Sequence, residues 1–75
     1  MALGQDTKLS SPLDIGELIR RRRRDMKLTQ VALAELSNVS HKFVNEVEHG
    51  KPTAEIGKVL VVLQMLGIDL YARTR

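Results

Sequence analysis

The 75-residue chain has no cysteine and no tryptophan, and its aromatic content is one phenylalanine and one tyrosine. Without cysteine there are no disulfides and no thiolate metal sites. The two histidines, His41 and His49, stand eight residues apart. On one helix that is about 12 Å along the axis, and no third ligand lies beside them, so no metal is expected. No apolar run reaches the roughly 18 residues of a membrane span. The first ten residues lack the apolar core and small-residue cleavage site of a signal peptide. A phosphate-binding glycine loop and a nucleophile–base pair are absent too, and a chain of this length walls off no cleft. An enzyme is therefore not expected, and no cofactor is implied.

What remains is a small, moderately basic chain with a net charge of +3 and a pI near 9.7. A domain of this size buries only about 60–65% of its unfolded surface, so oligomerisation is the staple left to it. The charge is uneven. Residues 1–19 carry −2, residues 20–51 carry +4 and residues 52–75 carry +1. The basic surplus falls on the middle segment, as an electrostatic footprint for nucleic acid would.

The chain divides into a polar tail (1–10), a helical unit (11–67) and a short C-terminal tail (68–75). Ser11 and Pro12 suit the N-cap and first position of a helix, with Asp14 three residues after the cap. Ile15, Leu18, Ile19, Arg22 and Met26 then mark a helical stripe ending near Met26. Thr29 and Ser40 read as caps of two more helices, Gln30 to Ser37 and Ser40 to His49. Val31, Leu33 and Ala34 form the apolar side of the first of these. Val39, Val44 and Val47 form that of the second, with Phe43 at its border. Asn38 suits the left-handed position that ends the first. Gly50 closes the second, and Pro52 stops it continuing. A fourth helix, Ala54 to Leu66 with Thr53 as cap and Gly67 ending it, presents Ile56, Val59, Leu60, Leu63 and Leu66 as its core stripe. Val61, Val62 and Met65 are left over, and that excess apolar surface implies a partner.

Two short helices joined by a three-residue turn make the unit that places a helix in the DNA major groove. Leu28-Thr29-Gln30, Leu33-Ala34, Val39-Ser40, Val44 and Val47-Glu48-His49-Gly50-Lys51 resemble the Xre/Cro/phage-repressor helix-turn-helix family, over about residues 15–66. The continuation Gly50-Lys51-Pro52-Thr53-Ala54, with Gly67-Ile68-Asp69-Leu70 after the fourth helix, is similar more narrowly to HipB-type antitoxins. The fold implied is all-α: a compact four-helix, lambda-repressor-like domain with a short C-terminal β-strand paired across a dimer. Asn38 and His49 depart from the family, where Gly and Asn are common.

Five consecutive arginines, Arg20 to Arg24, cannot form one patch, because successive helical residues point about 100° apart. Arg23 is placed to turn inward; by the resemblance it pairs with Glu48, tying the first helix to the third. Arg20 and Arg24 remain phosphate candidates, with Thr29, Gln30 and Lys51. Gln30 stands at a helix start, where free N–H groups and the dipole also favour an anion. The outward residues His41, Lys42, Asn45 and Glu46 would be polar on any solvated face. Lys can also donate to guanine, Asn can pair with adenine through two points, and His can donate or accept. Glu46 could accept from cytosine or select by repelling phosphate. The resemblance puts Ser40, His41, Lys42 and Asn45 at the base-reading end.

The residues expected at a dimer interface are Val61, Val62, Met65, Ile68 and Leu70. The expected function is a sequence-specific repressor bound as a homodimer to a palindromic double-stranded operator. Its narrower form is the antitoxin of a HipA-like kinase toxin, autoregulating its operon in the bacterial cytoplasm beside the nucleoid. The alternatives are a standalone phage-type repressor and a protein-interaction module with little DNA binding.

Overall fold

Four helices carry the chain: α1 (Pro12–Asp25), α2 (Gln30–Ser37), α3 (His41–Glu48) and α4 (Ile56–Met65). They are seen in a computed structural model that describes residues 6–75; the first half of the expected tail, 1–5, lies outside the described residues. Three helices start on the side-chain caps read from the sequence. Ser11 Oγ accepts from the Asp14 amide at 3.1 Å, Thr29 Oγ1 from Ala32 at 3.0 Å and Ser40 Oγ from Phe43 at 3.0 Å. Asp14 in turn accepts from the Ser10 amide at 2.8 Å, so the first turn of α1 is held from both directions.

All four helices end the same way. Lys27, Asn38, Gly50 and Gly67 each take a positive φ, between 55° and 81°. The residue after each donates its N–H back to a carbonyl in the last turn: Leu28 to Arg23, Val39 to Ala34, Lys51 to Glu46 and Ile68 to Leu63. This Schellman geometry satisfies otherwise orphaned carbonyls. It also turns the chain sharply, which lets connections of a few residues fold α2, α3 and α4 onto one core.

That core is Ile19, Leu33, Ala34, Val44, Val47, Val59, Val62, Leu63 and Leu66. Helix α1 packs on α3, and α2 packs on both α3 and α4. Gly16 makes the first contact possible. A Cβ there would collide with the Val47 carbonyl oxygen and lie 2.8 Å from that of Glu48, so α1 rests directly on the backbone of α3.

Several expectations are corrected. Helix α4 begins at Ile56 and not at Ala54; Glu55 holds the cap position without a side-chain cap bond. Ala54 serves instead as an anchor, packed against the core from the preceding turn. The buried stripe of α4 is Val59, Val62 and Leu63, continued by Leu66 at its C-cap. Val62 is 1% exposed and so belongs to the core, not to an interface. Ile56 and Leu60, expected inside, are 65% and 46% exposed. An apolar helix carries no polar face to fix its rotation, so the pattern alone admitted either stripe. Val31 on α2 and Met26 after α1 are also exposed.

Residues 68–75 pair as no strand in the single chain. Ile68, expected at an interface, packs half-buried on the core in the single chain, and its N–H is taken by Leu63 O at 3.0 Å. Val61, Met65 and Leu70 are exposed.

Candidate nucleic-acid interface

The short turn between α2 and α3 leaves the start of α3 beside the start of α2, and a polar chain runs between them. At its base Arg23 and Glu48 form a two-point pair: Nε to Oε2 at 2.7 Å and Nη2 to Oε1 at 3.1 Å. The Glu48 side chain is 2% exposed. The third guanidinium nitrogen, Nη1, donates to Leu28 O at 2.9 Å. A buried pair with its lone pairs and protons occupied is held in one geometry, and removing either partner strands the other.

Gln30 extends the chain upward. Its Nε2 donates to Glu48 Oε1 at 3.0 Å and lies 3.4 Å from Asn45 Oδ1. Its Oε1 is 3.0 Å from His41 Nε2. Arg23, Glu48, Gln30, His41 and Asn45 are therefore one connected network, from a buried ion pair to an exposed helix face. The carboxamide of Gln30 is engaged inside the protein, so it is a linker as much as the expected phosphate ligand. Its backbone N–H still stands at the start of α2, with Thr29 just before it.

The other expected contacts are distributed around this centre. Lys42 is exposed on the same turn of α3 as His41. Ser40 spends its oxygen on the cap of α3, which leaves its hydroxyl proton free to donate. Arg20, Arg24, Gln30 and His49 share one open depression of about 400 Å³, lined also by Glu17 and Glu48. Lys51 meets Glu46 at 3.3 Å, both partly exposed; such a pair contributes about 0–1 kcal/mol and opens readily to another anion.

Sequence reasoning missed three roles. Arg22 donates from Nε to Leu66 O at 2.8 Å, fastening α1 to the carbonyl end of α4. His49 turns Nδ1 to Asn45 O at 2.7 Å, closing its own helix. Lys58 places Nζ 5.8 Å from the centre of the Phe43 ring, a cation–π contact between the start of α4 and α3. A histidine directly after a helix, within reach of its last carbonyls, was the one signal that could have pointed to His49; the other two depend on tertiary register.

A helix-turn-helix family model matches residues 19–72. The chain is 48% identical over 67 residues to the uncharacterized HTH-type transcriptional regulator y4mF of Sinorhizobium fredii, covering 87% of this chain and 88% of that protein. It is 32% identical over 60 residues to the immunity repressor protein of Bacillus phage phi105, and there spans 42% of the relative's length. The fold is similar to that of a HipB–O4 20mer complex, with a TM-score of 0.83 at 17% identity, over 92% of this chain and 97% of that one. A HipA–HipB–O2–O3 complex gives 0.84 at the same identity, over 92% and 97%.

Proposed function

The chain belongs to the helix-turn-helix family of DNA-binding transcriptional regulators, and from that premise we propose that it is a sequence-specific repressor acting as a homodimer on a palindromic operator. The observation that carries this reading is the exposed face of α3. His41, Lys42 and Asn45 stand together there, and two of the three are braced from beneath by Gln30. A face assembled in advance loses little freedom on docking.

In this account α3 enters the major groove. His41, Lys42, Asn45 and the Ser40 hydroxyl meet base edges, while Thr29, the start of α2, Arg20, Arg24 and Lys51 hold phosphates. The Arg23–Glu48 pair touches no DNA; it fixes the angle of α1 to α3. The exposed apolar side chains Ile56, Leu60, Val61 and Met65 on α4, with Leu70 beyond it, support a second copy as the cover. A two-fold dimer would set its two α3 helices about 34 Å apart, in successive major grooves.

The narrower reading, an antitoxin that binds a HipA-like kinase and represses its own operon, is favoured by the likeness of the fold to HipB in the HipA–HipB–O2–O3 complex. Selection of duplexes from a random pool by the purified chain tests the repressor reading. A palindrome with half-sites one turn apart is expected. No enriched sequence would overturn it in favour of a protein-interaction module.

A further inference from the structure

From the polarity of the network beneath α3, we infer that His41 reads a base bearing an exocyclic amino group in the major groove, adenine or cytosine. This role of His41 rests on the DNA-binding reading above, and the proton positions are fixed upward from the ion pair. Glu48 is paired with Arg23 through both oxygens, and a carboxylate so paired can only accept. Gln30 must therefore turn its NH2 group to Glu48 Oε1, at 3.0 Å. That orientation leaves the Gln30 carbonyl oxygen on the other side, 3.0 Å from His41 Nε2. An amide oxygen also can only accept, so the ring must carry its proton on Nε2. In the neutral imidazole the remaining nitrogen, Nδ1, is then an acceptor.

The ion pair thus selects a tautomer two hydrogen bonds away. In the major groove, adenine N6 and cytosine N4 are donors, whereas guanine and thymine present acceptors at the corresponding places. An acceptor at His41 complements the first pair and opposes the second. The same logic gives Asn45 a complementary bias. Its Oδ1 faces the Gln30 amide at 3.4 Å, which leaves the Asn45 NH2 as the outward group, suited to N7 or another acceptor. A free histidine could have adopted either tautomer and would read less selectively. Gln30 is therefore a positioning residue: it sets what His41 offers.

The test has one part without DNA and one with it. In the free 75-residue chain, ring ¹⁵N shifts should report the proton on Nε2 of His41. Duplex selection should then identify the base pair whose preference His41→Ala relaxes; its one major-groove amino group lies on its adenine or its cytosine. A base analogue lacking the amino group there, purine for adenine or pyrimidinone for cytosine, should weaken binding by ~10-fold, and Gln30→Leu should cut discrimination at that position to ~3-fold or less while sparing positions read by neither His41 nor Asn45. A ring protonated on Nδ1 in place of Nε2 would overturn the assignment alone. So would unchanged binding to the analogue that lacks the amino group, or a preference that Gln30→Leu leaves intact. Failure of the wild-type chain to select any sequence would overturn the DNA-binding reading and this assignment with it.

Discussion

The crossing of α1 and α3 and the outer side of α4 are built on opposite principles. At the crossing, backbone meets backbone over Gly16, and the polar groups above it are joined in one network from Arg23 to His41. Each partner there restricts the next, so the geometry admits few alternatives. On α4 the apolar side chains run most of the way round the helix: Val59, Val62 and Leu63 are buried, and Ile56, Leu60, Val61 and Met65 remain exposed. Dispersion and burial are non-directional, so such a surface says that something should cover it but little about orientation. The directional region suits recognition, and the non-directional one suits association.

The largest effect expected from breaking this contrast is at Glu48. Glu48→Ala leaves the Arg23 guanidinium buried without its partner and should cost about 3–5 kcal/mol, read as a lower midpoint in urea unfolding. On α4, Leu63→Ala should cost about 2–5 kcal/mol through an uncollapsed cavity, whereas Leu60→Ala should cost under ~0.5 kcal/mol in the monomer. Sedimentation should show the second change as weaker self-association. Gly16→Ala drives a methyl into the carbonyls of Val47 and Glu48 and should cost about 1–3 kcal/mol; thermal unfolding measures it. Ser40→Ala removes the cap of the reading helix at about 1 kcal/mol, visible as faster amide exchange at Phe43. The smallest effect has the opposite sign. Ser37 Oγ is buried without a partner among the described residues, so Ser37→Ala should leave stability unchanged or raise it by up to about 1 kcal/mol.

The legibility of the sequence divides along the same line. Ser11, Thr29, Ser40, Asn38, Gly50 and Gly67 act within a turn of their own positions, so cap chemistry located three helix starts and three helix ends. The fourth start was misplaced because Thr53 looked like a cap while Ala54 was needed as an anchor in the turn. The rotation of α4 was illegible for want of a polar face, which is why Val62 and Leu60 exchanged places. Arg23 and Glu48, 25 positions apart, could be paired only through a family resemblance. The bond between His41 and Gln30 had no signal at all, since it depends on how a three-residue turn sets one helix start against another.

The most direct test of the account is to titrate the selected operator and a scrambled duplex of equal length with the wild-type chain, at ~50 and ~200 mM salt. A fixed reading face above a set of phosphate contacts predicts a preference for the operator of ~10³ or more. It also predicts that affinity for both duplexes falls steeply, by ~10³, across that salt range. Equal affinity for the two duplexes, from a chain that remains folded, would contradict it.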